Sequence, residues 1–308
     1  MIETHHITSR DQWLSLRKND ITASTVGALF GIHPYTTPLH LALLKTGRME
    51  EDDKPNDAIE RGIILEPAVA LAVSRRIEGA ILTKANVYLR DTDARLGATP
   101  DYFINIKGDL RGKGIVQIKT AAPWVFDEQW TAESPPAWIV LQALTEMMLT
   151  DSSWGLVAVL VVSAYGVDLH TYEIPRHPDA EQKIRERVAT FWQELDGGSD
   201  PEPNFTYDGK AIEALFPTAS RDLPLDLSGH NDVPVLLAEW KNLGTTLKEA
   251  TKRKKEIENQ IKFTLGDHAK ANLPGWSISF FNVNRSAYKV EATTYRNLRI
   301  TPHKERQQ

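Results

Sequence analysis

Two short segments of this 308-residue chain carry side chains suited to phosphodiester hydrolysis. Asp101 follows Pro100 at the start of a predicted strand, and Gln117-Ile118-Lys119 end the next predicted strand, 16 residues later. Period-two alternation places both ends of that triplet on one face. Such hydrolysis needs a divalent metal held by oxygen ligands, and a lysine can position the water or neutralise developing charge. The pattern is common by chance, so a turn aspartate and a solvated strand-end lysine remain alternatives.

Three helices are predicted ahead of these strands. One runs from Ile21-Thr22-Ala23-Ser24 to Gly31, and another from the N-cap Thr37, with Pro38 in its first turn, to Gly47. The third covers 56–76, where Pro67 removes one backbone hydrogen bond and predicts a kink beside Glu66. A kinked helix could lean Glu66 over the strands that carry the chemistry.

The following segments predict a mixed α/β (α+β) architecture with helices on both faces of one central sheet. Polar and glycine-rich turns separate short apolar runs, and the run 155–164 is continuous, as expected for a strand covered on both sides. The predicted strands are 87–90, 95–98, 101–106, 115–119, 155–164 and 168–174, the last two forming a hairpin. The predicted helices are 135–149 and 178–195.

The last third of the chain has a different character. Glycines and prolines in 197–233 predict a linker or wrapping segment, and 234–308 predicts a helical segment and a β-hairpin of 276–283 with 286–290. The helix has a heptad seam: Leu236, Trp240, Leu243, Leu247, Ala250, Ile257 and Ile261. Packing on its own domain, a helical hairpin and an intermolecular coiled coil all fit this seam.

Composition excludes several classes of protein. The chain has no cysteine, which excludes disulfides, zinc-thiolate sites and a cysteine nucleophile. Its N-terminus lacks the apolar region of a signal peptide, and no apolar run has the length of a membrane span. We therefore expect a soluble cytoplasmic protein. Net charge is −5, but residues 231–308 carry 14 Lys and Arg against 8 Asp and Glu, so DNA contact by this part and a solvated helix face are both open.

With further motifs added in order, residues 8–195 resemble the lambda-exonuclease, or YqaJ-like viral recombinase, branch of the PD-(D/E)xK nucleases. The resemblance implies a restriction-endonuclease-like core with a C-terminal helical and β-hairpin appendage. It is carried by Trp13, Arg17, Ile21-Thr22-Ala23-Ser24, Gly31-Ile32-His33-Pro34-Tyr35, Thr37-Pro38-Leu39, Arg61-Gly62-Ile63-Ile64-Leu65-Glu66-Pro67, Gly97-Ala98-Thr99-Pro100-Asp101, Val116-Gln117-Ile118-Lys119-Thr120 and Gln142.

The resemblance also implies roles for individual residues. The catalytic set would be Glu66, Asp101, Gln117, Lys119 and Gln142. Magnesium, with manganese as a substitute, would be held by Asp101, Gln117 and the Ile118 carbonyl, with Glu66 near the metals or their waters. Lys119 would hold the attacking water. Arg17 and Ser24 would grip a 5′ phosphate, and Thr120 and Trp124 would contact DNA.

At the level of function, the resemblance implies a magnesium-dependent exonuclease on duplex DNA ends, acting 5′ to 3′. Such an enzyme leaves 3′ single strands for an annealing protein in phage-type recombination. The resemblance further implies a ring-shaped trimer and a phage or prophage gene expressed in a bacterial host cell. A closed ring would give processivity, and the heptad helix is a candidate contact.

Two departures from the family pattern leave alternatives open. Position 117 is a glutamine where the family has a glutamate, and no arginine follows in Ala121-Ala122-Pro123-Trp124-Val125. A neutral amide is a weaker magnesium ligand than a carboxylate. Alternatives are therefore an endonuclease or single-strand nuclease on the same core, or a catalytically weak DNA-end-binding protein. A plain scaffold built on the heptad helix leaves the ordered motifs unexplained. Trp124 and Trp130 are candidates for stacking on a DNA end or for burial in the core.

Overall fold

A computed structural model describes residues 1–50, 57–219 and 224–284. The described residues divide into two units between Pro217 and Thr218. The strands of the first unit are β1 (Ile2–His6), β2 (Ile21–Thr22), β3 (Ala80–Lys84), β4 (Val87–Asp91), β5 (Leu96–Ala98), β6 (Tyr102–Ile106), β7 (Gly114–Ala121), β8 (Trp154–Val162) and β9 (Val167–Pro175). Its helices are α1 (Arg10–Lys18), a 3₁₀ helix (Val26–Phe30), α2 (Pro38–Lys45), α3 (Asp57–Arg76), α4 (Pro123–Gln129), α5 (Ala137–Thr150), α6 (Pro178–Asp196) and α7 (Gly209–Leu215).

The strands of the first unit form two sheets rather than the single predicted one. A five-stranded sheet has the order β3-β6-β7-β8-β9, in which only β7 and β8 are parallel. A four-stranded sheet has the order β1-β4-β5-β2. The chain leaves the small sheet after β5 and enters the large sheet at β6, so Asp101 lies at the passage between them.

Both faces of the large sheet are covered by helices, as the sequence predicts. Val69 and Val73 of α3 pack with Val116 and Ile118 on one face. On the other face, Met147 and its neighbours on α5 pack with Ile115 and Ala121 of β7. Because side chains alternate along a strand, positions 117 and 119 face α5 rather than α3.

Several predicted elements are confirmed. Helix α2 begins after Thr37, whose hydroxyl accepts from the backbone N–H of His40, and Gly47 follows it at φ 68°. Helices α5 and α6 and the hairpin of β8 with β9 also lie where they were predicted. Pro67 lies inside α3, as expected, and its kink stays a prediction.

The helix predicted from Ile21 to Gly31 is wrong in its first half. Ile21 and Thr22 form a strand parallel to Leu96 and Gly97, and helical structure begins at Val26 as a 3₁₀ turn. The backbone N–H of Ile21 bonds to Arg95 and that of Ala23 to Gly97, so pairing with a distant strand overrides the local pattern.

Other elements were not predicted from the sequence. They are β1, α1, β3, α4 and α7, all short, and residues 197–217, expected to be a linker or wrapping segment, include α7. Ala211 of α7 packs with Leu39 and Leu43, and Asp208 accepts a short hydrogen bond from Thr37. This part of the expected linker is therefore packed on α2.

The second unit contains α8 (Asp232–Leu265) and a hairpin of β10 (Lys270–Leu273) with β11 (Trp276–Ser279). Trp276 pairs with Leu273 across Gly275 at φ 80°, a strand partner that the sequence did not predict. The predicted partner strand, 286–290, lies outside the described residues. Most of the heptad seam is exposed, including Leu243 and Leu247. Across the described residues, no helix has the length and apolarity needed to span a membrane.

A glycine and a buried aspartate hold β4, β5 and the end of α1 together. A Cβ at Gly97 would lie 1.9 Å from the Tyr88 hydroxyl. Tyr88 is fully buried and donates to Asp20, which also accepts from Arg90 at 3.0 Å. Because Gly97 has no side chain, the Tyr88 ring can pack directly against its backbone.

We expect Gly97→Ala to lower the free energy of unfolding by about 1–3 kcal/mol or more, because the added methyl group overpacks against Tyr88. Urea unfolding followed by circular dichroism measures it. Gly62→Ala is the control, since a Cβ there meets nothing within 4 Å in α3 and should stabilise the helix. Equal unfolding midpoints for Gly97→Ala and the parent protein would contradict the packing described.

Candidate active site

Asp101 is tied to the adjacent strand by two hydrogen bonds to one oxygen. Its Oδ2 accepts from the backbone N–H of Ile118 at 2.7 Å and from Gln117 Nε2 at 2.7 Å. Asp101 is thus in contact with the 117–119 triplet, as the sequence predicts. The amide oxygen of Gln117, Oε1, is buried and has no hydrogen-bond partner.

A second chain of hydrogen bonds leads from Lys119 into α5. Lys119 Nζ donates to Gln142 Oε1 at 2.9 Å, and Gln142 Nε2 donates to Glu146 Oε1 at 3.0 Å. Gln142 and Glu146 are one helical turn apart, so both point at the sheet. An ammonium group has three N–H donors, which leaves Lys119 able to bind a water or a phosphate oxygen.

Burial shifts the proton affinities of this cluster. It raises the pKa of Asp101 to about 6, although Lys119 and the Ile118 N–H oppose the rise. Burial lowers the pKa of Lys119, against the attraction of Asp101 and Glu146. It raises the pKa of Glu146 well above its usual value, and the charge of Asp101 adds to the effect. The three groups therefore share one weakly screened electrostatic environment.

Glu66 approaches the same strands from α3, on the opposite face of the sheet from α5. Its Oε1 accepts from Lys84 Nζ at 2.8 Å, at the end of β3. The negative charge of Glu66 helps to raise the pKa of Asp101, which places the two carboxylates within electrostatic range. The charge of Glu66 is thus felt at Asp101, but it is paired with Lys84.

The residues predicted to grip a phosphate also lie together. Arg17 Nη2 is 3.4 Å from Ser24 Oγ, and the Arg17 guanidinium lies 4.1 Å from the Trp13 ring centroid. Trp13 Nε1 donates to Thr99 Oγ1 at 3.0 Å, two residues before Asp101. The β2–β5 pairing therefore brings this cluster toward the strand end that carries Asp101.

His33 and Trp138 connect Lys119 with Arg17 and Ser24, the residues predicted to bind a phosphate. The Ser24 backbone opposes the lowering of the His33 pKa by burial, and the His33 ring centroid lies 5.2 Å from that of Trp138. Lys119 Nζ is 5.4 Å from the Trp138 ring centroid. Burial lowers the pKa of His33 to about 4, so the imidazole is neutral at neutral pH.

The two candidate stacking tryptophans differ in exposure. Trp124, on α4, has 69% of its surface exposed and is available to a ligand, while the partly buried Thr120 lies near the end of β7. Trp130 is buried, with Phe126 stacked at 5.8 Å between centroids, so its alternative as a core residue is correct.

The oxygen atoms around Asp101 suit a hard divalent cation in type but not in charge. The Asp101 carboxylate, the unpartnered Gln117 Oε1 and the Ile118 carbonyl are magnesium-type ligands. Among the described residues, however, no three His, Asp or Glu side chains form a group that could hold a metal. A cation here would rely on amide, carbonyl and water oxygens.

Three residues of the candidate site were not predicted from the sequence to contribute to it: Lys84, His33 and Glu146. Lys84 lies in a strand that was not predicted. His33 was noted only as part of a motif. Glu146 had an available signal: it stands four residues after Gln142 on the face of an apolar helix, where a carboxylate is out of place.

We expect Asp101→Asn to raise the melting temperature in chelator at pH 8 by a few degrees. With its pKa raised to about 6, folded Asp101 binds a proton more tightly than the unfolded chain does, so the ionised group costs stability above that pH. Asparagine keeps an acceptor oxygen without the charge. The gain should shrink as pH falls below 6.

Asp109→Asn is the control for this melting experiment. Arg111 lowers the pKa of Asp109, so this substitution has the opposite sign and should not raise the melting temperature. A melting temperature of Asp101→Asn equal to or below that of the parent protein at pH 8 would contradict the account.

Residues 12–153 match the family described as the YqaJ-like viral recombinase domain. The uncharacterized protein YqaJ of Bacillus subtilis (strain 168) is 26% identical over 270 residues, which are 84% of this chain and 79% of that protein.

Solved structures share the fold. The alkaline exonuclease LHK-Exo of Laribacter hongkongensis, in complex with dAMP, is 22% identical, with a TM-score of 0.50 over 66% of this chain and 98% of that chain. A second structure of the same exonuclease is 23% identical over 61% and 93% of the two chains, with a TM-score of 0.49. The predicted mixed α/β fold is confirmed, and residues 12–153 of the chain are similar to the YqaJ-like viral recombinase domain.

Proposed function

We propose that this protein is a magnesium-dependent deoxyribonuclease that degrades duplex DNA from its ends. The observation that carries the proposal is the convergence of Asp101 and Lys119 on adjacent strand ends, with Lys119 held by Gln142 at 2.9 Å. The match of residues 12–153 to a viral recombinase domain and a shared fold with an alkaline exonuclease support the same reaction class.

Each residue of the cluster has a definite task in such a reaction. Asp101, fixed by the Ile118 N–H, presents a carboxylate at one place beside the Lys119 ammonium. Gln142 Oε1 accepts a hydrogen bond from Lys119 Nζ and so fixes the direction of the remaining N–H groups. Those groups can hold the attacking water or stabilise charge on the phosphate as the bond to the leaving oxygen breaks.

Magnesium, or manganese in its place, would be held by Asp101, Gln117 Oε1 and the Ile118 carbonyl, with Glu66 near its waters. When bound, the metal would polarise the phosphate and lower the pKa of its water. In the fold described, Gln117 turns Nε2 toward Asp101. Metal binding therefore requires the amide to rotate, which would bring the unpartnered oxygen toward the cation.

The direction of degradation rests on Arg17 and Ser24. Guanidinium and hydroxyl groups suit a terminal phosphate, and the Trp13–Thr99 hydrogen bond connects this cluster to the segment preceding Asp101. A 5′ phosphate gripped there would direct cleavage 5′ to 3′ and leave a 3′ single strand. On this proposal an annealing protein takes up that strand in a bacterial cytoplasm, and a ring of subunits, a trimer by family resemblance, keeps the enzyme on DNA.

The primary test uses a linear duplex labelled at one end, in magnesium and in chelator. We expect release of nucleotides only with magnesium, and a loss of at least about 100-fold in rate for Lys119→Ala, because charge stabilisation at the phosphate is lost. Lys113→Ala, at a solvent-exposed lysine outside the cluster, is the control and should retain the parent rate. Magnesium-independent cleavage, or full activity in Lys119→Ala, would overturn the proposal.

A second experiment tests direction. We expect the parent protein to degrade 5′-phosphorylated ends faster than 5′-hydroxyl ends, and Arg17→Ala to lose about tenfold or more of that preference. Lys18→Ala, at the exposed neighbour of Arg17, is the matched control. An unchanged preference in Arg17→Ala would remove Arg17 from the 5′-phosphate site.

Gln117 motivates a second candidate function, a DNA-end-binding protein with little catalysis. Its neutral amide supplies no charge to a cation, and Glu66 is already paired with Lys84. Binding of duplex ends in a gel shift without any magnesium-dependent cleavage would favour this candidate. Cuts in a closed circular duplex would instead favour an endonuclease on the same core.

A further inference from the structure

Glu146 is a carboxylate in a position where a helix would ordinarily carry a hydrophobic residue. It lies on α5 at 0% exposure, next in sequence to the fully buried Met147. Gln142 Nε2 donates to its Oε1, while Oε2 is buried without a hydrogen-bond partner. An unsatisfied buried carboxylate oxygen costs folding free energy, so a purely structural role would be better filled by an apolar side chain.

Glu146 interacts with residues of the proposed active site through a hydrogen bond and through charge. Asp101 repels its charge and Lys119 attracts it, and it acts in turn on Lys119. Its hydrogen bond orients the Gln142 amide so that Oε1 faces Lys119. Glu146 is thus the end of a three-residue chain that begins at the predicted catalytic lysine.

The neutral residue at position 117 leaves a charge missing from the same face of the sheet. Gln117 is buried on the side of β7 that faces α5, the helix that carries Glu146. We propose that Glu146 supplies from the helix the negative charge that Gln117 does not supply from the strand, and that it positions Lys119 through Gln142. The inference rests on the proposed function and deepens it: the chain has a relocated acidic charge.

This arrangement makes Glu146 a positioning residue whose effect passes to a bound divalent cation and to Lys119. Burial opposes ionisation of Glu146, but a divalent cation bound nearby would favour its ionised form. In that form the group of Asp101, Lys119 and Glu146 carries one net negative charge, which favours the cation. Without that charge the group is neutral, and the site loses the attraction that would offset the desolvation of the metal. A charge placed at position 117 should therefore substitute for one lost at position 146.

The test is a charge exchange measured by titration of Mn²⁺ into the full chain by calorimetry, without DNA. We expect Glu146→Gln, which keeps an acceptor for Gln142, to weaken Mn²⁺ binding about tenfold or more and to slow cleavage. Gln117→Glu combined with Glu146→Gln should restore most of both. Glu181→Gln is the control and should leave Mn²⁺ affinity unchanged. Glu181 is a buried carboxylate on α6 that is paired with Arg176.

Two results would overturn the inference: parent-like Mn²⁺ affinity in Glu146→Gln, or a double variant no better than the single one. Absence of Mn²⁺ binding in the parent protein would overturn it as well. Glu146→Met, compatible with the surrounding core, covers the case in which Glu146→Gln does not fold, and should bind Mn²⁺ as weakly. If these metal affinities follow expectation while the parent protein cleaves no DNA, the proposed function fails and the role of Glu146 stands.

Discussion

The site depends on one partly buried carboxylate held at a fixed place between two sheets. Asp101 lies where the chain passes from β5 to β6, and the Ile118 N–H and the Gln117 amide bind the same oxygen. The small sheet brings Arg17, Ser24 and Thr99 to one side of this passage. The large sheet brings the 117–119 triplet to the other. Loss of the strand pairing in either sheet would separate Arg17 and Ser24, the residues predicted to bind phosphate, from Lys119 beside Asp101.

Placing charge in this partly buried region is costly, and the surrounding residues share that cost. Lys119 offsets Asp101, Gln142 links Lys119 to Glu146, and Lys84 pairs with Glu66. Each charge is stabilised by another rather than by water, which is how perturbed proton affinities arise at functional sites. The glutamine at position 117 fits this balance, because a third carboxylate beside Asp101 and Glu146 would add repulsion without a further cation.

The sequence predicts the elements whose signals are local. The proline at the start of α2, the apolar run of β8 and the amphipathic pattern of α6 each set a structure within a few residues. Prediction from the sequence fails where pairing with a distant strand determines the local structure, as at Ile21–Thr22. It also fails for short elements such as β3, which carries Lys84. Asp101 and Lys119 were identified from their strands and Gln142 from family resemblance, whereas the contribution of Glu146 needed the hydrogen bond that joins it to Gln142.

We propose that Asp101 and the end of β7 bind a divalent cation. The most direct measurement is anomalous diffraction at the manganese edge from crystals of the full chain soaked in Mn²⁺. The account predicts a peak bound by the Asp101 carboxylate at about 2.0–2.5 Å, as expected for hard oxygen ligands, with the Gln117 amide turned to present its oxygen. A map without a peak there, in which Gln117 Nε2 still binds Asp101, would contradict it.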